Sequence, residues 1–242
     1  MMLDLNWNFL FEPDPSSGDL IWKMIGTGLG NTLKLSITAW IIAMGLGITI
    51  GAVRTSKTKT LAKLGDAFAE FFRNIPLIVQ MFLWFFVVPS WIPALKGVDY
   101  STYQFISAVL ALGLFTAARV SEQIRAAILA MPRGQRAAGE ALGLRGTQVY
   151  RYVLLPMALR ICIPSLTSDT MSLIKNSTVA LTIGYAELMF RSVKEVAETN
   201  FRFFEVYAIL TILYIGVSMM ANRVMRYVEG RVAVPGYITF KA

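Results

Sequence analysis

The sequence lacks histidine entirely and contains a single cysteine, Cys162. Histidine-based acid–base catalysis, histidine metal sites and an intrachain disulfide are therefore excluded. The phosphate-binding pattern G-x-x-x-x-G-K-[ST] is also absent, so the chain does not bind ATP through such a loop itself. No nucleophile–base pair, metal-ligand cluster or cofactor motif is present. We expect a protein with no catalytic residues, no metal and no bound cofactor.

Charged residues are scarce: they form 16% of the chain, against about 25% in an average soluble domain. Hydrophobic residues make up 55%, and the mean hydropathy is +0.56. This composition predicts an all-α integral membrane protein. The net charge of +8 is spread over the gaps between apolar runs, as the positive-inside rule describes. We therefore expect contacts with membrane lipids and none with nucleic acid.

The apolar runs predict five transmembrane helices, since each is close to the ~20 residues needed to cross a bilayer. Their predicted bounds are about 33–53, 67–91, 103–118, 161–187 and 206–222. The basic loops place the N-terminus outside and the C-terminus in the cytoplasm. The predicted organisation is an interfacial segment outside (1–32), a transmembrane domain (33–230) with a polar cytoplasmic loop (131–156), and a cytoplasmic tail (231–242). Residues 20–32 are predicted to approach the bilayer as a short amphipathic segment, and residues 191–202 to form an outer loop.

The second span begins with unusual polarity. Glu70 and Arg73 are three residues apart, so they can pair on a helix, and Pro76 is expected to kink that helix. Two interpretations stay open for these residues: a helix end near the interface, or a face towards a cavity. The Gly47 and Gly51 pair in the first span predicts close helix packing.

Ionisable residues also occur in the third and fourth spans, where they are costly unless they face a bundle interior or a water-filled path. Arg119, Glu122 and Arg125 lie at helical spacing, extend the third span as a polar face to Ala130, and can pair with one another. The fourth span contains Asp169, Lys175, Asn176, Ser177 and Thr178, and Lys175 is expected to pair with Asp169.

The polar loop of residues 131–156 is the longest interruption of the apolar sequence. Its small residues predict a helix with a closely approachable backbone, ended by Gly143 in the left-handed conformation. Thr147 is expected to cap a second helix that runs to Leu155, and Pro156 to prevent its continuation into the fourth span. The loop is interpreted as a docking element; the alternative is an ordinary amphipathic surface helix.

The spacing of this loop resembles the signature E-A-A-x3-G-x9-I-x-L-P of permease subunits of bacterial ABC importers. Ala137-Ala138-Gly139 is followed by Gly143 and then by Val153-Leu154-Leu155-Pro156 at the expected intervals, with Ala137 in place of the glutamate and Gly139 in place of the second alanine. The resemblance implies a type I ABC importer (MetI-like) permease fold. It also implies an ATPase-coupling helix formed by Ala137, Ala138, Gly139, Glu140, Ala141, Leu142 and Gly143.

Four further segments narrow the resemblance. The sequence from Glu70 to Gln80 is similar to the second-helix signature of the polar amino-acid permeases. LFTAARVSEQIRAAI, LIKNSTVALTIG and VEGRVAVPG resemble the glutamate/aspartate importer permeases. The resemblance implies a bacterial inner-membrane location, two ATPase subunits that bind ATP and Mg, a periplasmic amino-acid-binding protein and a second permease chain, with a heterodimer or a homodimer both possible.

An acidic substrate needs a cation for its extra carboxylate, and arginine binds carboxylates bidentately. The resemblance makes Arg119 the candidate, because the broader polar amino-acid branch often has an aromatic residue near this point. The other polar residues of the predicted path are explained better by structural roles than by contact with the substrate: Glu122, Asp169, Lys175, Asn176, Ser177 and Thr178. Two alternatives stay open: a permease for neutral or basic amino acids, and a non-ABC channel or membrane assembly protein. A channel would not need a small-residue helix shaped for an ATPase groove.

Overall fold

A computed structural model describes residues 5–92 and 97–232, apart from the side chain of Arg133. Most of the predicted tail, residues 233–242, lies outside the described residues, as does part of the VEGRVAVPG segment. The described residues are almost entirely helical, and their only extended pairing is an isolated bridge between Pro13 and Leu20.

The helices are named here in chain order. A short 3₁₀ helix, Trp7–Phe11, precedes α1 (Ile21–Val53), α2 (Lys59–Asn74), α3 (Leu77–Trp91) and α4 (Tyr100–Ala130). They are followed by α5 (Arg133–Ala141), α6 (Gly146–Ile183), the π-helical α7 (Phe190–Ala197) and α8 (Phe203–Val232). By length and composition α1, α4, α6 and α8 can each cross a membrane, and the pair α2–α3 passes the same test as one broken span. The chain is therefore a multi-pass membrane protein, and its described residues contain four candidate spans, or five if the broken pair counts as one.

α1 starts earlier than predicted. Residues 20–32 do not form a separate approach, because one continuous helix runs from Ile21 to Val53. The predicted packing role of its glycines is confirmed: a Cβ added at Gly47 would lie 2.6 Å from Val120, and one added at Gly51 would lie 2.7 Å from Ile124. The backbone of α1 therefore contacts α4 directly, at a distance that only glycine permits.

The second span breaks at its proline. A kink was predicted at Pro76. The structure shows a full break between two helices there, since α2 ends at Asn74 and α3 begins at Leu77. Pro76 has no N–H to donate and disfavours a helical conformation at Ile75, whose ψ is 128°. The break divides this span into two helices of different composition: α2 is amphipathic, whereas α3 is apolar.

The prediction that Pro156 stops the helix before the fourth span is wrong. α6 passes through it, because the preceding turn, Tyr150–Leu154, is a π-helix whose wider hydrogen bonding reaches from the Leu155 N–H to the Tyr150 carbonyl. The widened turn accommodates the ring and the missing N–H of the proline. The predicted cap at Thr147 is also wrong. Arg145 is the N-cap residue, and its N–H donates to the side chain of Gln148 at 2.7 Å.

The predicted fourth span, 161–187, is not a uniform helix. Its α-helical part ends at Asn176 and a 3₁₀ helix continues through Ile183 to Gly184, which has a φ of 75°. The predicted outer loop is helical instead, because α7 occupies residues 190–197 and is supported by the pair Arg191–Glu195 at 2.5 Å.

The chain forms two compact units. Unit 1 comprises Met1–Ala39, Leu77–Leu112 and Leu173–Met220, and its core contains Ile21, Leu188, Val196 and Val206. Unit 2 comprises Trp40–Pro76, Gly113–Ser172 and Ala221–Ala242, and its core contains Val120, Ile124, Leu154 and Cys162. Cys162 is buried among apolar side chains, as expected for a packing residue.

Candidate functional site

The predicted coupling helix is α5, and its C-terminal end is built as the sequence indicates. Gly143 has a φ of 80°, the left-handed conformation that glycine adopts without strain. The Gly143 N–H donates to the Glu140 carbonyl at 3.0 Å, and the Leu144 N–H donates to the Gly139 carbonyl at 3.2 Å. These two bonds form a Schellman motif, which satisfies carbonyls that the helix itself leaves free.

One face of α5 packs and the other is exposed. Gly139 is buried, and a Cβ added there would lie 3.4 Å from a Val149 methyl group, so the small residue sets the distance between α5 and α6. Ala137, Ala138, Ala141 and Leu142 are exposed, and the Leu142 side chain is 82% exposed. An exposed leucine beside three alanines gives an apolar, low-relief surface that another protein can cover closely.

Glu140 connects this helix to the turn after α1. Its carboxylate accepts hydrogen bonds from Lys57 at 3.0 Å and from Arg136 at 3.4 Å. The hydrogen bond from Lys57 is the main cause that lowers the pKa of Glu140 below its ordinary value of 4.5. Behind it, the Tyr150 hydroxyl donates to the Thr55 carbonyl at 2.6 Å. The turn after α1 and the polar loop are thus fixed to each other by a charged and a neutral contact.

Glu122 lies at the centre of an ion-pair cluster. It accepts from Arg54 at 2.7 Å, Arg73 at 3.1 Å and Arg125 at 3.3 Å, and Arg54 also pairs with Asp66 at 2.8 Å. The predicted pair with Arg125 is confirmed.

The predicted pair between Glu70 and Arg73 is wrong, because Arg73 donates to Glu122 instead. Glu70 is exposed, whereas Glu122 is partly shielded from water beside the buried Arg54, and a shielded carboxylate attracts a cation more strongly. The role of Arg54 was not predicted, because its partners lie more than ten residues away in sequence.

A second ion pair joins α4 to α6. Arg119 donates to Asp169 at 2.7 Å, and Gln123 donates to the other oxygen of the same carboxylate at 2.5 Å. The Asp169 side chain is only 2% exposed, whereas that of Arg119 is 44% exposed. The predicted pair between Lys175 and Asp169 is therefore wrong. Six residues along a helix correspond to a rotation of about 240°, so the two side chains leave the helix in different directions.

The two ion-pair groups border a recess of about 350 Å³ lined by Arg73, Phe115, Arg119, Glu122 and Gln123. The structure thus brings together two of the predicted path residues, Arg119 and Glu122, with Asp169 directly behind Arg119. Arg73, Phe115 and Gln123 were not predicted as part of this site. Their signal in the sequence was weak, because only the fold places α2 beside this face of α4.

The remaining predicted path residues do not line this recess. Lys175 is exposed, and the hydroxyls of Ser177 and Thr178 donate to the carbonyls of Ile174 and Lys175 at 2.7 and 2.8 Å. These bonds satisfy backbone carbonyls where the α-helix changes to a 3₁₀ helix. Ser177 and Thr178, with Asn176 at the junction itself, therefore have a structural explanation in unit 1.

A buried carboxylate in unit 1 was missed by the sequence analysis. Glu187 is 0% exposed and accepts from the backbone N–H groups of Met189 and Phe190, both at 2.9 Å. The hydroxyl of Tyr214 donates to it at 3.2 Å and that of Thr32 at 3.5 Å. Glu187 therefore caps the start of α7 and connects α1 with α8. Within residues 5–92 and 97–232, no group of three or more histidine, cysteine, aspartate or glutamate side chains could hold a metal ion.

Residues 43–234 match the family described as the binding-protein-dependent transport system inner membrane component. The match covers most of the chain, including α5 and the ion-pair clusters, so the chain belongs to this family. It is a permease subunit of a transport system in which ATP hydrolysis takes place in separate subunits. The membership confirms the permease resemblance drawn from the spacing of residues 137–156.

The chain is 40% identical over 242 residues to the glutamate/aspartate import permease protein GltJ of Escherichia coli CFT073, with 98% of each chain covered. It is 29% identical to a second glutamate/aspartate import permease protein, GltK, of the same strain, with 85% of this chain and 92% of that protein covered. A crystal structure of an amino acid ABC transporter with histidines is similar in fold, with a TM-score of 0.73 and 27% identity over 87% of this chain and 94% of that one. These similarities confirm the amino-acid branch of the family.

Proposed function

We propose that this chain is a permease subunit of an ATP-driven amino-acid importer and that the imported substrates are glutamate and aspartate. The observation that carries the substrate proposal is the recess beside Arg119. It presents two partly exposed guanidinium groups, Arg73 and Arg119, together with one carboxylate, Glu122. A dicarboxylic amino acid carries two carboxylates and one ammonium group, so its charges complement those of the recess. The 40% identity to a glutamate/aspartate import permease supports the same substrate class.

Both arginines keep hydrogen-bond donors for a ligand. Arg119 uses Nε and Nη2 for Asp169, and Arg73 uses Nη1 for Glu122, whereas each guanidinium has five N–H donors. Asp169 and Gln123 hold the Arg119 side chain in one orientation, which lowers the ordering cost when a carboxylate arrives. In this proposal Asp169 is a positioning residue, and the remaining path residues, Lys175, Asn176, Ser177 and Thr178, support the helix.

The movement driven by ATP is transmitted to this chain through α5. In the proposed mechanism its exposed face (Ala137, Ala138, Ala141 and Leu142) docks on an ATPase subunit, which binds the ATP and Mg. The Schellman end at Gly143 and the contact of Gly139 with α6 support transmission of that movement, since α5 cannot tilt freely on its neighbour. The bond between Glu140 and Lys57 extends the moving body to the turn between α1 and α2. This chain itself performs no covalent chemistry.

The proposed orientation has five spans, with the N-terminus in the periplasm, the C-terminus in the cytoplasm and the chain in the bacterial inner membrane. The distribution of lysine and arginine supports it: the turn after α1 and residues 131–160 are rich in basic residues. Residues 93–99 contain one lysine and one aspartate.

The proposed assembly contains a second, similar permease chain, two ATPase subunits and a periplasmic binding protein. Two distinct glutamate/aspartate import permease proteins in one Escherichia coli strain, both similar to this chain, support a heterodimer of permeases. The described part of one copy contains at most five spans, which also supports the need for a partner to enclose a path.

Uptake by the reconstituted complex tests the substrate site. Arg119→Gln is expected to lower glutamate uptake at least tenfold, because one charged contact to a carboxylate is lost. Arg160→Gln, an exposed arginine on α6 outside the recess, is the matched control and should keep normal uptake. Because Arg119→Gln leaves the buried Asp169 unpaired, the double variant Arg119→Gln/Asp169→Asn and the conservative Arg119→Lys are measured beside it.

Normal glutamate uptake by Arg119→Gln or by the double variant would contradict the assignment. Competition by excess aspartate, glutamine or arginine separates the substrate classes. Inhibition of uptake by arginine but not by aspartate would contradict the acidic substrate while leaving the permease function intact.

A further inference from the structure

A second cavity lies in unit 2, beside the polar loop and apart from the recess. It has a volume of about 410 Å³, well above the roughly 30 Å³ that one water occupies in the liquid. Its lining is mainly apolar and combines the end of α1, the turn that follows it, one residue of α2, one residue of α5 and the first turns of α6. The lining includes Ala52, Lys57, Leu61, Arg136, Arg151 and Leu155.

The position of the cavity along the chain corresponds to the surface of the membrane. Ala52 is next to the last residue of the first span, and Leu155 begins the regular α-helical part of α6. Tyr150 donates to the adjoining turn through its hydroxyl, and the neighbouring Tyr152 is 62% exposed. Tyrosines with a polar tip and an apolar ring are typical of the headgroup level of a bilayer. One side of the cavity is therefore hydrocarbon-like and the other polar.

Three cations border this apolar space. Lys57 and Arg136 share the single carboxylate of Glu140, so one positive charge of that group stays uncompensated. Arg151 is exposed, its guanidinium lies 5.8 Å from the centre of the Tyr152 ring, and it forms no ion pair in the part of the chain that the structure describes. The border thus carries a net charge of about two positive units beside an apolar wall.

We propose that this cavity binds an anionic phospholipid of the cytoplasmic leaflet. Its phosphate contacts Arg151 and the Lys57–Arg136 group, and an acyl chain covers Ala52, Leu61 and Leu155. Basic pockets beside transmembrane helices at the cytoplasmic surface suit such headgroups, since the leaflet contains anionic lipids and arginine binds phosphate bidentately. The choice of leaflet rests on the proposed orientation.

The lipid is favoured over two other occupants of similar charge. Free phosphate matches the cations but leaves the apolar wall exposed to water, which is unfavourable for most of the lining. A segment of an ATPase subunit would have to reach to the level of the last residues of α1. An anionic phospholipid has a charged headgroup and apolar chains, which match the cationic border and the apolar wall of the cavity. It is already present at the membrane surface, where the cavity lies.

Native mass spectrometry of the whole assembled complex tests the proposal. The complex is extracted from vesicles that mix phosphatidylethanolamine with the anionic lipid phosphatidylglycerol, since anionic lipids give the leaflet its negative surface potential. We expect phosphatidylglycerol to stay bound to the wild-type complex. Arg151→Gln should lower its retention about tenfold, since one charged contact is worth about one decade in affinity.

Matched controls separate the site from general effects. Leu61→Trp should fill the cavity and release the lipid, whereas Leu64→Trp, on the same helix but outside the cavity, should not. Arg160→Gln keeps the site and should retain the lipid. Equal retention by all variants would overturn the proposal. Release by excess inorganic phosphate would overturn it in favour of a phosphate site, and crosslinking of Leu61→Cys to an ATPase subunit would overturn it in favour of a protein contact.

Glutamate uptake is measured on the same preparations. If uptake is normal and no lipid is retained, only the lipid proposal fails. If phosphatidylglycerol is retained but no amino acid is transported by the wild-type complex, only the proposed function fails.

Discussion

At the scale of single residues, the backbone conformation of Gly143, and not its packing, explains why this position requires glycine. A Cβ added at this position meets no atom within 4 Å, yet its φ of 80° is strained for any L-residue. Gly143→Ala is therefore expected to destabilise the end of α5 by ~1–2 kcal/mol and to lower ATP-driven uptake. Uptake by reconstituted complexes, with ATPase activity recorded in parallel, measures the effect.

Gly146→Ala is the control for this variant, because its added Cβ also meets no atom within 4 Å and its φ is not positive. It should behave like the wild type. If the two alanine variants transport equally well, the left-handed end of α5 is not needed for coupling.

Asp14, outside the membrane-spanning helices, is expected to make stability depend on pH. Burial by itself raises the pKa of this carboxyl, but hydrogen bonds from Ser16, Asn200 and the backbone of Ser17 outweigh burial and lower the pKa below 3.8. A carboxyl whose pKa is lowered on folding stabilises the protein above its unfolded pKa, and the contribution is lost as the pH falls through the folded value. Asp14→Asn should therefore cost ~1–3 kcal/mol at neutral pH.

The pH profile separates this electrostatic effect from simple disruption. Thermal unfolding of the solubilised protein should show a constant difference between wild type and Asp14→Asn from pH 5 to 8. The difference should shrink as the pH falls below about 3.8, where the Asp14 carboxyl of the unfolded chain becomes protonated, and it should be lost once the pH passes the lower folded pKa. Asp19→Asn, on an exposed neighbour, is the control. A difference that persists unchanged in acid would argue against the ionised Asp14.

At the scale of helices, the contact of α1 with α4 depends on small residues. A Cβ at Gly51 would lie 2.7 Å from Ile124 and 2.8 Å from the Ser121 carbonyl, so Gly51→Ala should force the helices apart and cost ~1–3 kcal/mol. Gly45→Ala, on the same helix with open space around it, should be neutral or slightly stabilising. Thermal unfolding of both variants in detergent compares them, and equal midpoints would refute the close contact.

Among the helix ends and breaks, the sequence correctly predicted the break at Pro76 and the end at Gly143. Pro76 and Gly143 act through their own backbone, so their effects are local and can be predicted without the fold. Pro156 has the same local preference, but a π-helical turn before it absorbs the missing hydrogen bond. A turn of this kind has no sequence signal of its own, and the prediction failed for that reason.

At the scale of the whole molecule, the single cysteine offers a direct test of topology. Cys162 is buried, and Cys162→Ala gives a background without thiols in which single cysteines can be placed. Leu142→Cys and Phe201→Cys are suitable probes in the permease produced without its ATPase subunits, since both side chains are 82% exposed and the proposed docking would cover position 142. A membrane-impermeant maleimide should label position 201 in intact spheroplasts and position 142 only after the membrane is opened. Labelling of both positions from the same side would contradict the proposed orientation.

The overall class could be predicted from composition, whereas the partners of charged residues could not. The family, and a helix that ends at Gly143, could be predicted from the spacing of residues 137–156. In contrast, the pairings of Arg73 and Asp169 were predicted wrongly, because each selects a partner at least 46 residues away on another helix. Sequence spacing shows only which residues are neighbours on one helix. A shielded carboxylate on α4 or α6 attracts an arginine more strongly than an exposed carboxylate that is nearby in the sequence.

The contacts of Glu187 set an order of events during synthesis. Its hydroxyl partners are Thr32, 155 residues earlier, and Tyr214, 27 residues later. When Thr32 enters the membrane, neither the carboxylate nor the second hydroxyl has yet been made. Unit 1 can therefore pack around the buried Glu187 carboxyl group only after the ribosome has completed most of the chain. Until α8 has been inserted, α1 has to remain in the bilayer without these contacts.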